Sequence, residues 1–196
     1  ATDEPRDASD IYCEACYCSP DSRCFVYARH LPPGQAAVQQ FVACEFGTWE
    51  KAVVGETDYP GAATMAKGRF YYLRSGPGGE RQLVRLDLAR RQERVLPLPP
   101  GLPLSGGPAV SPDEQYLACF EARSFSPQMF AINLVELRTG RVLPLHQDPY
   151  ICNPHHQFEP SEGRFLMVQH NRGCEFAADG TLRKLVGREG ATLFFI

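Results

Sequence analysis

The segment Asn153-Pro154-His155-His156-Gln157-Phe158 sets several polar, ligand-capable side chains in one row. Imidazoles can move a proton near neutral pH or help to hold an anion. The plainer reading is that each ring satisfies a local hydrogen bond. A second polar group, His170-Asn171-Arg172, closes the next apolar run. Between the two, Glu159-Pro160-Ser161-Glu162-Gly163-Arg164 reads as a turn joining two strands. On a strand, His155 and Gln157 share one face and His156 takes the other. Gln157 could therefore bind a ligand held at His155 or orient that ring, and a buried structural role is expected of His156.

The elements that position these groups emerge from a repeat. Ser19-Pro20-Asp21-Ser22-Arg23 precedes the apolar run Cys24–Arg29, and Ser111-Pro112-Asp113-Glu114-Gln115 precedes Tyr116–Arg123. Ala66-Lys67-Gly68-Arg69 and the turn ending at Arg164 occupy the same place elsewhere. The residues closing these turns, Arg23, Arg69, Gln115 and Arg164, are spaced by 46, 46 and 49 residues. A second phrase recurs out of phase with the first. Leu83–Leu88 followed by Arg94-Val95-Leu96-Pro97-Leu98 matches Ala131–Leu137 followed by Arg141-Val142-Leu143-Pro144-Leu145. Each period thus holds four antiparallel strands, the signature of β-propeller blades, whereas a β-sandwich would not keep so constant a period.

The expected fold is all-β, a β-propeller of about three complete four-stranded blades and a partial fourth. The blades fall roughly at 14–58, 59–104, 105–150 and 151–196, within a single incomplete domain spanning 1–196. A closed ring of four would need a complete last blade, so the chain reads as the front portion of a larger propeller. Its partners would then include the missing blades, or other copies associating through exposed blade faces.

Composition narrows the classes. Hydrophobic residues make up 43% and charged residues 22% of the 196, as in ordinary globular proteins. A net charge of −3 argues against a general nucleic-acid binder. No apolar run reaches the roughly 18–20 residues that span a bilayer, so no membrane partner is expected. Of the eight cysteines, Cys13-x-x-Cys16 resembles half a zinc knuckle, but no second half follows at the usual spacing. Free, largely buried thiols are expected, which suits a reducing, cytoplasmic compartment.

In a propeller, first-strand starts and second-strand ends open on one rim. His155 occupies the first kind of position; His170, Asn171 and Arg172 occupy the second. Equivalent second-strand ends hold Arg29-His30, Arg74 and Arg123. Arginine is also a common residue at exposed strand ends. A ring of guanidiniums around an imidazole nevertheless suits a carboxylate- or phosphate-bearing ligand, because arginine grips planar anions through two hydrogen bonds.

The Ser-Pro-Asp turns and four-strand periods resemble the TolB-type and WD-like propeller superfamily. Asn153-Pro154-His155-His156-Gln157-Phe158, with His170-Asn171-Arg172-Gly173 downstream, resembles the oligogalacturonate lyase family more narrowly. That resemblance implies a seven-bladed propeller cleaving short pectin fragments by β-elimination, with a divalent metal, typically manganese, in the channel. It implies His155 as the proton-abstracting base and Arg123 or Arg172 as the accompanying arginine. Gln157, His170, Asn171 and Arg74 would contact an anionic oligosaccharide substrate. The metal ligands implied by the resemblance would lie in later blades, mostly outside this chain. Two other readings stand beside it: a non-catalytic propeller that binds protein or peptide, and the propeller part of a prolyl-oligopeptidase-type hydrolase. No Gly-x-Ser-x-Gly elbow occurs here to carry the latter.

Overall fold

A computed structural model describes residues 6–11, 17–59, 63–96, 98–102 and 104–196. They separate into two compact units, Ala1–Pro100 and Gly101–Ile196. Among the described residues no helix is long and apolar enough to cross a membrane. Among the described residues all regular strand pairing is antiparallel.

The first unit contains two four-stranded sheets. One runs in the order β1 (Ala8–Ser9), β2 (Cys24–His30), β3 (Gln39–Glu45), β4 (Lys51–Thr57). The other runs β5 (Ala63–Ala66), β6 (Arg69–Ser75), β7 (Arg81–Asp87), β8 (Gln92–Leu96). Strand alternation sends Val26, Ala28, Phe41 and Ala43 of the first sheet against Phe70, Tyr72, Val84 and Leu86 of the second. Each fully buried aromatic of this kind contributes about 1.5–3 kcal/mol relative to exposure. Gly55 is required where it stands: a Cβ there would lie 2.9 Å from the Tyr72 hydroxyl.

The second unit holds the sheet β9 (Ser105–Val110), β10 (Tyr116–Phe125), β11 (Gln128–Glu136), β12 (Val142–Asp148). Its second sheet is three-stranded, in the order β13 (Gln157–Phe158), β14 (Leu166–Asn171), β17 (Ala191–Phe195). The run Ala191–Phe195 is thus a third strand, as the repeat predicts. A small hairpin, β15 (Glu175–Phe176) with β16 (Leu182–Lys184), is inserted before it. Phe176 of the hairpin packs on Phe125 and Phe130, with ring centroids 5.3 Å from each. Phe120, Phe130 and Ile132 share a core with Ile151, Leu166, Val168 and Cys174. The opposite face leaves Leu193 and Phe195 exposed, with Phe165 beside them.

The recurring turn has a hydrogen-bonded basis. The Ser19 hydroxyl donates to Asp21 (2.6 Å) and accepts the Cys24 amide (3.0 Å). Ser111 does the same with Asp113 (2.6 Å) and the Tyr116 amide (2.9 Å). Each turn then needs one left-handed residue, Ser22 at φ 55° and Glu114 at φ 62°. Successive turns also touch. A Cβ on Gly68 would meet the Pro20 ring at 3.3 Å, and one on Gly163 would meet the Pro112 ring at 2.8 Å. The proline of one turn therefore rests on the glycine of the next, once in each unit.

Candidate functional site

The chain from Tyr150 to Phe158 runs antiparallel to β14. The Asn171 amide donates to the Tyr150 carbonyl (2.7 Å) and the Gln169 amide to the Pro154 carbonyl (2.6 Å). Regular pairing begins only at Gln157 with Met167. Four residues on one side match two on the other, and then three match two, so the segment bulges twice. The second bulge falls at His155, whose φ of +41° is left-handed. Strand alternation consequently fails before Gln157: His155 and His156 precede the strand and do not start it. His170 and Asn171 are likewise the last two residues of β14, with Arg172 just beyond.

Both flanks of the bulge are anchored. Ile151 is fully buried, and Cys152 packs against the same core. Burial, then a hydrogen bond with Cys174, pushes the Cys152 thiol up to about 12. On the other side His156 is buried, its Nε2 3.2 Å from the Ala118 carbonyl. Between these anchors His155 is half-buried, with Nε2 2.7 Å from the Asn153 side-chain nitrogen. An amide nitrogen only donates, so in this orientation Nε2 accepts and Nδ1 carries the ring proton. Turning the amide over reverses both roles.

His170 is held on three sides. Its Nε2 lies 3.0 Å from Asp148 Oδ1, and its ring meets Tyr150 (5.5 Å) and Phe194 (5.9 Å) edge-on. Asp148 also accepts the Tyr150 amide at 2.7 Å. Asn171 is fully buried; its Oδ1 accepts from Gln169 (3.2 Å), while its Nδ2 has no partner among the described residues. A buried donor left open is uncommon and marks a place where a further acceptor would fit. Gln157 is half-buried on β13 and Arg172 is exposed.

Arg123 lies in a bulge of β10, beside the row in which Ala122 pairs with Phe130 and Phe130 with Asp148. It belongs to the same end of its sheet as Asp148. Its guanidinium is 3.3 Å from Glu121, which also accepts from Asn133 at 2.8 Å. Arg74 belongs to the first unit, 2.9 Å from Glu93, and the Tyr72 hydroxyl donates to the same carboxylate. Of the three candidate arginines, Arg172 pairs with no carboxylate among the described residues. Asp148, Glu121 and Glu93 are partners that the sequence alone did not single out. Asp148-Pro149-Tyr150 carried a usable signal, a turn immediately ahead of the histidine segment.

No three His, Cys, Asp or Glu side chains converge as a metal site among the described residues. The proposed zinc half-knuckle, Cys13 and Cys16, lies outside them. Cys24, Cys119, Cys152 and Cys174 are free thiols, and Cys44, Cys119 and Cys174 are buried.

No protein-family model and no curated protein matches the sequence. Solved structures do match. Oligogalacturonate lyase in complex with manganese aligns over 90% of this chain and 53% of its own, with TM-score 0.63 and 16% identity. TolB from Acinetobacter baumannii aligns over 85% and 42%, at TM-score 0.59 and 17% identity. The acylaminoacyl peptidase of Pyrococcus horikoshii aligns over 88% and 29%, at TM-score 0.54 and 10% identity. The fold is a β-propeller. The chain spans about half the length of the lyase it matches. Three differently named proteins on one fold leave function to be argued from the site.

Proposed function

We propose that the chain carries part of a lyase acting on anionic uronate oligosaccharides by β-elimination. The observation that carries the reading is the bulge at His155. It lifts an imidazole bonded to Asn153 out of strand register, beside the end of β14 that bears His170, Asn171 and Arg172.

With the Asn153 amide turned so that its oxygen accepts Nε2–H, Nδ1 of His155 carries the unprotonated lone pair that a base needs. It takes the proton alpha to the uronate carboxylate. The C–H electron pair forms the new carbon–carbon double bond, and the glycosidic oxygen departs and is protonated by water. Charge that builds on the carboxylate in the transition state needs a fixed cation, and Arg172 is the available guanidinium. The amide of half-buried Gln157 is a donor suited to sugar hydroxyl or carboxylate oxygens, whereas Asn171 is buried and supports the end of β14 from within. Manganese accompanies the structurally similar lyase; a divalent cation would supply charge stabilisation to the same carboxylate. The described residues form no ligand set for it, so no step here depends on it.

A second reading, a propeller that binds a partner without catalysis, is favoured by one observation. Arg74 and Arg123 already face Glu93 and Glu121, and a guanidinium so engaged is not open to a substrate carboxylate. The test that separates the two is formation of unsaturated product from short oligogalacturonates, compared with the His155→Ala variant.

A further inference from the structure

The sheet β5–β8 carries a feature that the lyase reading does not use. Register places Arg85 directly opposite Arg94 on neighbouring strands. The same face continues, two residues along, with Arg69 opposite Asp87. These side chains line a groove of about 430 Å³, together with Arg90 and Glu93. Like charges placed opposite each other across a sheet are destabilising, so an uncompensated arginine pair calls for a counter-charge.

The groove's own carboxylates are already bonded to residues other than Arg85 and Arg94. Asp87 accepts the Arg90 amide at 3.0 Å and its guanidinium at 2.8 Å, and these bonds hold its carboxyl below the ordinary value. Glu93 is bonded to Arg74 and to the Tyr72 hydroxyl. Arg85, half-buried, and Arg94, exposed, pair with no carboxylate among the described residues. Arg85 and Arg94 thus stand side by side in the groove with its two carboxylates already bonded to other residues, in a chain whose net charge is −3.

We infer that this groove is an anion-binding site whose ligand presents two phosphoryl or carboxylate groups to Arg85 and Arg94. Guanidiniums bind such groups through paired hydrogen bonds, which ammonium groups do not reproduce. The groove has room for a ligand larger than a single phosphate. The inference is independent of the lyase reading, since none of these residues belongs to the histidine segment.

Isothermal titration with inorganic pyrophosphate and, separately, with succinate tests it, neither probe being a uronate that the histidine segment would take. Saturable binding of either probe at one molecule per chain is expected, weakening as salt rises. Binding of pyrophosphate alone assigns the phosphoryl source, and binding of succinate alone assigns the carboxylate source. The double variant Arg85→Gln/Arg94→Gln should weaken binding by at least about tenfold, while His155→Ala leaves it unchanged. Without ligand, the double variant should melt no lower than the parent, because a repulsion has been removed. Absence of saturable binding by both probes, equal binding by the double variant, or a lower melting temperature of that variant would overturn the inference.

Discussion

Asn153 and His155, separated by one proline, turn their side chains toward each other so that the amide nitrogen lies 2.7 Å from Nε2. The contact decides which ring nitrogen carries the proton. If His155 is the base, the working orientation has the amide oxygen accepting Nε2–H and Nδ1 unprotonated. Nitrogen-15 chemical shifts of the His155 ring at neutral pH should then show the Nε2–H tautomer. Asn153→Ala should mix the tautomers and slow turnover roughly five- to tenfold, the scale of one lost hydrogen bond. An unchanged tautomer in that variant would dissociate Asn153 from the orientation of the ring.

Ile151 is the buried anchor on the near side of the bulge. Its replacement by alanine should cost about 2–5 kcal/mol in urea unfolding of the second unit, from lost burial plus the cavity left behind. The loss should also broaden the His155 resonances, since the segment is released at one end. A cost under about 1 kcal/mol would mean that the segment is held from elsewhere.

Thiol chemistry offers an independent check on the core. Burial pushes both Cys119 and Cys152 up to about 12. A raised value means fewer thiolates at a given pH, and the thiolate is the reactive form. Alkylation with iodoacetamide at mildly alkaline pH, followed by peptide mass spectrometry, should therefore leave both residues largely unmodified in the native chain and label them fully in urea. Rapid native labelling of Cys119 would contradict the packing of the β10–β11 sheet.

The repeat was legible because its turn is local: Ser19 and Ser111 organise their turns through hydrogen bonds to residues at most five positions away. The third strand at Ala191–Phe195 was legible for the same reason, by comparison with its counterparts. The His155 environment was not, because two bulges break the alternation on which the reading relied, and bulges are set by pairing across the sheet. The engagement of Arg74 escaped for a similar reason, since Glu93 lies 19 residues away along the chain, whereas the partner of Arg123, Glu121, stands on the same strand and was within reach of the sequence. The inserted hairpin did leave a trace, the Asp179-Gly180 dipeptide, which is a strong hairpin signal.

Glu159 organises the turn after β13. Its carboxylate accepts the Ser161 hydroxyl and the amides of Ser161, Glu162 and Gly163. These bonds, led by the Ser161 hydroxyl, hold its carboxyl down to about 2, against an ordinary 4.5. A lowered value in the folded chain adds stability that is fully present above about 4.5 and lost as pH falls toward 2. Glu159→Gln should therefore reduce the melting temperature at neutral pH, and the gap from the parent should close through that acid window. A gap that stays constant down to the lower limit would rule out the carboxylate as its source.

The central claim is that His155 abstracts a proton from a uronate. Its most direct measurement is the ultraviolet absorbance of unsaturated product formed from trigalacturonate, with and without added manganese. The chain, or a longer polypeptide containing it, should generate product, and His155→Ala should lower the rate by about 10²–10⁴-fold while retaining the sheet spectrum in circular dichroism. Equal rates for the parent and the folded His155→Ala variant would contradict the account.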